Sequence, residues 1–347
     1  DNTEIAGTWT AKGDVEINKV DYQNTNTKLK NVEFIVYQGT DATANKYMSL
    51  CKNGAKVNEI IGTEINVEKD YEAEFTSNAT NATRILTDGN WSIKIKGLEL
   101  GTYTFKETNS NNYGYTKIVT KEVKEDKPED VTKVTITNEK QVGNLKIYKK
   151  DVDDTNKKLK NATFVLKTSS GYVKVKATGN SVTNDENTGY AKKIVGSATI
   201  KDTSNNTTDK VMTFDATQTT ATKFITDANG IIEIKNLLTS NNGNNAIKYK
   251  LEETDNGNYG YTKMVEVENI AIERTKTKEV TVTNQKQVGN LKIYKKDFDD
   301  SNKNIKNATF VLKSSYGKGY LKVKATGNSV TNDKTTGYAT KIVGSAT

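Results

Sequence analysis

Apolar and polar residues alternate along many short segments of the chain, and clusters of Asn, Asp, Gly and Thr separate these segments. A period of two is typical of strands that bury one face, because successive strand side chains point to opposite sides. No stretch shows the longer period of an amphipathic helix. The pattern predicts an all-β fold in which each module is an immunoglobulin-like sandwich of two packed sheets.

The chain contains an internal repeat. The segment QVGNLKIYKKD begins at Gln141 and again at Gln287, and a more diverged copy precedes them. The repeat predicts three modules: residues 1–140, with 1–13 as an N-terminal extension; residues 141–286; and a truncated copy at residues 287–347. The joins between core strands are short, so we expect tandem modules arranged as a stiff rod.

In each full module, three strands carry a polar residue at a position whose side chain should face the core, because it alternates in step with the apolar residues. Lys19 shares the parity of Val15 and Ile17, and the second module repeats the pattern in the same order. The six residues are Lys19, Glu107 and Asn138 in the first module, and Lys149, Glu253 and Asn284 in the second.

Burial of these groups favours a specific chemistry. Removal from water lowers the pKa of a lysine and raises that of a carboxylic acid, giving a free amine beside a protonated acid. Such an amine could attack the Asn side-chain carbonyl while the acid bonds to that oxygen and transfers protons, leaving an isopeptide bond and ammonia. The alternative is a Lys–Glu ion pair at the end of a sheet, with Asn as a turn residue.

The same segments carry a family resemblance. GNLKIYKKD, TDANG, YKLEET with NYGY, and VTVTNQK resemble successive strands and turns of the Cna B-type, or SpaA-type, prealbumin-like domain. The family occurs in surface adhesins and pilins of Gram-positive bacteria, and many members form a Lys-Asn isopeptide bond with the help of an acidic residue. The resemblance implies that Lys19 and Lys149 are nucleophiles, Asn138 and Asn284 electrophiles, and Glu107 and Glu253 the proton-handling acids.

The third copy carries only part of this set. Lys295 has the parity of Leu291 and Ile293, but the sequence contains no Glu or Asn strand for this module. We therefore expect Lys295 to be unreacted.

Composition excludes most enzyme classes. The chain has no His and a single Cys, Cys51, so His-based triads, His-ligated metals and multi-Cys zinc sites are excluded. We expect no cofactor and no bound metal, and we interpret the acidic runs at 151–154 and 297–300 as turns. Each triad would react once, so the protein is not interpreted as an enzyme. Cys51 is expected to be a partly buried free thiol.

Net charge and hydropathy argue against nucleic-acid binding and against insertion into a membrane. The net charge of +8 comes from dispersed Lys residues, without the Arg-rich blocks typical of nucleic-acid binding. No apolar run is long enough to cross a membrane.

The leading hypothesis is an extracellular structural stalk or shaft of a bacterial cell-surface adhesin or pilus-like fibre, attached to the cell wall or assembled with neighbouring copies. One alternative is a ligand-binding adhesin that recognises a host matrix protein or glycan through insertions at residues 45–84 and 171–222. Another is a pilin shaft polymerised by sortase.

Overall fold

The structure is a computed structural model that describes residues 10–40, 46–128, 130–202, 210–242 and 244–347. Residues 1–9 of the expected extension, and residues 45 and 203–209 of the insertions, lie outside the described residues. The chain divides into two units, the first ending at Gln287 and the second comprising Val288–Thr347.

The first part of unit one consists of short strands with alternating burial. β1 shows this most clearly, because Val15, Ile17 and Lys19 are buried while the residues between them are partly exposed. The described strands are β1 (Lys12–Asp21), β2 (Glu33–Gln38), β3 (Tyr47–Lys52), β4 (Ala55–Val57), β5 (Glu59–Ile61), β6 (Ile65–Asn66), β7 (Glu72–Thr76), β8 (Arg84–Leu86), β9 (Ser92–Glu99), β10 (Gly101–Asn109), β11 (Thr120–Glu125) and β12 (Val131–Asn138).

These strands form two sheets. One has the order β12-β1-β9-β6, and in it β1 runs parallel to β12 and antiparallel to β9. The other has the order β11-β10-β2-β3-β4, with β8 also paired to β2 and β7 to β3. Ile17 and Ile93 of the first sheet pack with Phe34 and Phe105 of the second, whose rings meet edge to face at 6.5 Å. The core therefore lies between the sheets.

The second part of unit one repeats this plan. Burial alternates along the whole of its first strand, β13, which ends with Lys149 and Asp151 facing inward. The described strands are β13 (Val142–Asp151), β14 (Thr163–Thr168), β15 (Gly171–Val175), β16 (Ala177–Thr178), β17 (Val182–Asn184), β18 (Ala191–Val195), β19 (Ser197–Ile200), β20 (Met212–Asp215), β21 (Lys223–Ile225), β22 (Ile231–Leu238), β23 (Lys248–Asp255), β24 (Glu266–Ala271) and β25 (Thr277–Asn284).

Its sheets have the orders β16-β19-β22-β13-β25 and β17-β18-β21-β14-β15-β20, with β23 joined to β14 and β24 to β23. As in the first sandwich, the first strand runs parallel to the last, here β13 to β25. The predicted all-β sandwich fold is confirmed. Apart from three single 3-10 turns, at Ala79–Asn81, Gln218–Thr220 and Tyr316–Lys318, the described residues contain no helix, and none that could span a bilayer.

The described parts of the insertions are themselves built from strands. In the first sandwich they contribute β3 to β7, with β3 and β4 forming a hairpin that carries the partly exposed Cys51. In the second they contribute β15 to β20, and β15 pairs with both β14 and β20. The insertions therefore widen the sheets.

The two sandwiches of unit one are joined by direct contacts around the short linker. Tyr113, in the loop after β10 of the first sandwich, packs against the core of the second and donates a hydrogen bond to the carbonyl of Asn236 at 2.7 Å. Nearby, the hydroxyls of Thr116 and Ser240 lie 2.6 Å apart and are buried. These contacts restrict motion between the sandwiches.

The second unit has a single pair of strands among its described residues. Its described strands are β26 (Val330–Asn332) and β27 (Ala339–Ile342), which form an antiparallel hairpin. Phe310 is 55% exposed, whereas its counterpart Phe164 in the second sandwich is fully buried.

We expect Tyr113→Ala to loosen the joint, because it removes both the ring packing and the hydrogen bond to Asn236. Local opening of the joint should become easier by about 2 kcal/mol. Hydrogen exchange of residues 139–142 and 236–241 would measure this. Tyr259→Ala is the matched control, since Tyr259 holds the same place in its motif but is 87% exposed. Equal exchange in the two variants would contradict the role of Tyr113.

Candidate cross-linking sites

Parallel pairing of the first and last strands places the lysine and asparagine of each module side by side. In the first sandwich Lys19 lies opposite Ile136, and Asn138 is two residues further along the same face. In the second, Lys149 lies opposite Val282, again two residues before the asparagine. Both side chains therefore point into the core from neighbouring strands.

The acid comes from the opposite sheet. Glu107 lies on β10, and its side chain meets those of Lys19 and Asn138 between the two sheets. The Asn138 amide nitrogen donates to both carboxylate oxygens of Glu107, at 2.8 and 3.0 Å, and the Lys19 amine donates to the Asn138 carbonyl oxygen. The amine is 3.9 Å from the carboxylate, and all three residues are at most 1% exposed.

The second sandwich brings Lys149, Glu253 and Asn284 together in the same way. The lysine amine donates to the asparagine carbonyl oxygen and lies 3.7 Å from the carboxylate. The amide nitrogen of Asn284 donates to Glu253 Oε2 at 2.9 Å. Asn256 adds a contact to this acid, donating to Oε1 at 2.9 Å.

A tight turn holds the backbone of each lysine. The N–H of Lys19 donates to the carbonyl of Trp91 at 2.9 Å, and that of Lys149 donates to Gly230 at 2.8 Å. Both turn residues have positive φ, 56° and 68° respectively. At Gly230 an added Cβ would lie 2.7 Å from the carbonyl oxygen of Lys149, so a side chain there would require the neighbouring backbone to shift.

The Thr-Asp pair that begins this turn has a role that sequence reasoning missed. Thr87 accepts a hydrogen bond from the N–H of Val32 and donates to the carbonyl of Leu29, which ties the turn to the chain between β1 and β2. Thr226 makes the corresponding two contacts in the second sandwich. The TD dipeptide, which occurs at the same place in both modules, is the sequence feature that could have indicated this role.

Backbone groups of one loop also complete each site. The carbonyl of Lys117 accepts from the Asn138 amide nitrogen at 3.2 Å, and the N–H of Val119 donates to Glu107 at 3.3 Å. In the second sandwich the carbonyl of Lys263 and the N–H of Val265 make the same contacts, at 2.9 and 3.1 Å. Sequence reasoning missed these groups because every residue has a backbone carbonyl.

Burial shifts the titration of the site. It lowers the pKa of the Lys19 amine to about 8, against the opposing effect of the Glu107 and Asp21 carboxylates. It likewise lowers the pKa of Lys149 to about 8, against the effect of Glu253. Burial also raises the pKa of the Glu107 carboxyl, although Lys19 acts in the opposite direction. These shifts favour transfer of a proton from amine to acid inside the core.

The orientation of the amide defines what the arrangement can do. The asparagine carbonyl faces the amine, and its nitrogen, the group that would leave as ammonia, faces the acid. We expected the acid to bond to the carbonyl oxygen; in the structure it contacts the nitrogen instead. The acid is therefore placed to protonate a leaving amide nitrogen.

Lys295 is not part of such a site. It is exposed, and the segment containing Leu291 and Ile293 forms no strand. Among the residues that the structure describes, no cluster of three or more His, Cys, Asp or Glu side chains is arranged to hold a metal ion.

Residues 13–140 match the family described as the SpaA prealbumin-like fold domain. The first module has the SpaA prealbumin-like fold. The resemblance recognised in the sequence is thus confirmed for this module. The comparison with curated proteins found no match.

Several solved structures are similar to the chain. A streptococcal ancillary pilin is 18% identical, with 81% of this chain and 64% of that chain covered and a TM-score of 0.38. The TIE protein of Bacillus anthracis is 23% identical, with 80% and 35% covered and a TM-score of 0.31. The shaft pilin SpaA of Lactobacillus rhamnosus GG is 16% identical, with 81% and 100% covered and a TM-score of 0.39. The chain spans less than two thirds of the length of the first two.

If the site reacts as its geometry suggests, bond formation in the first module should show a bell-shaped dependence on pH. The reactive pair holds one proton, on the Glu107 carboxyl. The two groups titrate as a pair. Above the Lys19 pKa of about 8 the pair holds no proton, and below the raised pKa of Glu107 it holds two, so that the amine is protonated as well. Chains unfolded before reaction would be refolded at each pH and their mass followed with time.

A rate that continues to rise well above pH 8 would contradict this expectation. It would mean that deprotonation of the amine alone limits the reaction and that Glu107 need not supply a proton.

Proposed function

We propose that this chain is a structural stalk or shaft region of a bacterial surface adhesin or pilus-like fibre, stabilised by autocatalytic Lys-Asn isopeptide bonds. The observation that carries the proposal is the buried Lys-Asn-Glu arrangement, which recurs between the first and last strands of two successive sandwiches. The family match of the first module supports the same conclusion.

The reaction follows from the contacts. The lone pair of the Lys19 amine attacks Cγ of Asn138, and a new C–N bond forms. As the bond from Cγ to Nδ2 breaks, Glu107 transfers a proton from the attacking nitrogen to the departing one, and ammonia leaves. The acid ends in its starting protonation state. Lys149, Asn284 and Glu253 act in the same way, and each site reacts once.

The isopeptide bonds would give the modules the covalent stabilisation that disulfides provide in other exported proteins. One cysteine cannot form an intrachain disulfide. An isopeptide bond between Lys19 and Asn138 closes a loop with a sequence separation of 119 residues, and the second closes one of 135. By analogy with disulfides, restricting the unfolded chain over such loops stabilises each module by about 5 kcal/mol.

Their position also suits a load-bearing role. The chain enters each sandwich along its first strand and leaves along its last, and the proposed bond joins these two strands directly. Tension would pass through the covalent bond, so the residues between lysine and asparagine would not extend.

Intact mass provides the first test. The purified chain should be lighter than its sequence by about 34 Da, one ammonia of about 17 Da for each bond. Lys149→Arg should reduce the deficit to about 17 Da, because a guanidinium stays protonated and cannot attack. Lys295→Arg is the matched control and should leave the deficit at about 34 Da. Tryptic peptides should link Lys19 to Asn138 and Lys149 to Asn284.

An unmodified mass would refute the cross-linked stalk. The triads would then be buried ion-pair networks, and the alternative of an adhesin that recognises a host matrix protein or glycan through its insertions would become the better hypothesis.

Single-molecule stretching gives an independent prediction. The cross-linked first module should show no unfolding extension from the residues between Lys19 and Asn138. In a Lys19→Arg variant, that module should release roughly 400 Å of chain, since the two residues are separated by 119 positions and each position spans at most about 3.5 Å. Release of that length from the unaltered protein would argue against a load-bearing bond.

A further inference from the structure

The loop that completes each cross-linking site has the same sequence pattern in both sandwiches. It comprises Tyr115–Val119 (YTKIV) in the first and Tyr261–Val265 (YTKMV) in the second. We call each of these five-residue segments the strap. We propose that the strap tyrosine and the aspartate two residues after the reactive lysine form a latch that positions the asparagine amide for bond formation. This inference rests on the proposed isopeptide reaction.

The strap touches both partners of the amine. Its third residue, Lys117 or Lys263, accepts a hydrogen bond from the asparagine amide nitrogen through its carbonyl. Its fifth residue, Val119 or Val265, donates its N–H to the carboxylate of the acid. One segment thus holds both the leaving nitrogen and the group that is placed to protonate it.

The Lys117 carbonyl and the Glu107 carboxylate, both held by the strap, together determine which way the amide points. An asparagine amide has an oxygen that accepts and a nitrogen that donates, and the two ends have nearly the same shape. With the Lys117 carbonyl on one side, only the nitrogen can satisfy that contact, so the oxygen faces Lys19. The reversed amide would place its oxygen against the carbonyl oxygen of Lys117 and present N–H groups to the amine.

The strap needs an anchor at its tyrosine end, because the sheet holds only its last residue, Val119 or Val265, whose carbonyl accepts from the N–H of Glu107 or Glu253 at 2.9 Å. Residues 115–119 and 261–265 belong to no strand. The anchor is the tyrosine hydroxyl: Tyr115 donates to Asp21 Oδ2 at 2.8 Å, and Tyr261 donates to Asp151 Oδ2.

The aspartates that receive these bonds are themselves fixed. Asp21 ends β1, lies opposite Asn138 in the strand register and is only 7% exposed. Its other carboxylate oxygen accepts from the backbone N–H groups of Gln23 and Asn24, both at 2.8 Å. Asp151 makes the equivalent pair of contacts in the second sandwich. The latch therefore connects the strap to the strand that carries the reactive lysine.

The two sites in one chain allow an internally controlled test with Tyr115→Phe, which removes one oxygen and keeps the buried ring. The full chain would be collected unfolded, refolded, and digested at intervals, and each cross-linked peptide would be quantified by mass spectrometry. We expect the Lys19–Asn138 bond to form at least tenfold more slowly, because a poorly oriented amide is seldom in position for attack. The Lys149–Asn284 bond should form at its usual rate, and Tyr261→Phe should reverse the pattern.

Variants of the aspartate distinguish positioning from charge. Asp21→Asn keeps a hydrogen-bonding partner for Tyr115 and should keep the rate within about threefold, whereas Asp21→Ala should slow the first bond as Tyr115→Phe does. The pH profile of the slowed Tyr115→Phe reaction should keep its shape, because the titrating pair is unchanged.

Three outcomes would overturn the latch: an unchanged rate in Tyr115→Phe, equal slowing of both bonds, or an Asp21→Asn rate as low as that of Asp21→Ala. In each case the unaltered protein still forms both bonds, so the proposed function stands. Absence of both bonds from the unaltered protein would instead refute the proposed function, and this inference with it.

Discussion

Parallel pairing between the first and last strands of each sandwich is the constraint on which the rest of the structure depends. It brings Lys19 beside Asn138 across nearly the full length of a module. A lysine buried between two sheets is costly unless its charge is paired or lost. The opposite sheet supplies the third group, Glu107, so the site exists only when both sheets and both ends of the module are in place.

The same arrangement of lysine, asparagine and glutamate occurs in both sandwiches, although their sequences have diverged. The turn beside the lysine is built around Trp91 in one sandwich and Gly230 in the other, yet both carbonyls hold the lysine backbone. Asn256 adds a hydrogen bond to the second acid. The contacts among amine, amide and acid keep their pattern despite these differences, which is expected if the relative placement of the three groups matters more than the residues around them.

The motif NYGY links this chemistry to the way the modules are joined. Its first tyrosine, Tyr113, leaves the first sandwich and packs against the second, while Tyr115 turns back to Asp21 beside the reactive site. Two residues apart, these rings face different modules. A single loop therefore contributes to both the joint and the site, so that order at the joint supports order in the loop beside the amide.

The sequence by itself determined which side chains face the core. Parity within a strand is a local property, so the inward positions of Lys19, Glu107 and Asn138 could be read from alternation alone, and the repeat gave their counterparts. Alternation was not sufficient at Lys295, where the pattern predicted a core-facing strand and the structure has none. A strand forms only when neighbouring strands pair with it and cover its apolar face, and among the described residues no strand pairs with residues 291–295.

Tertiary structure decided the remaining features of the site. Contacts between residues far apart in the chain decide which strands are neighbours. They place the lysine and asparagine in one sheet and the acid in the other, and they decide which way the amide points. The Lys117 carbonyl and Val119 N–H are groups that every peptide unit possesses, so the residue types at these positions do not indicate their role. Only the folded chain, which brings the strap against the end of β1, distinguishes them from the rest of the backbone.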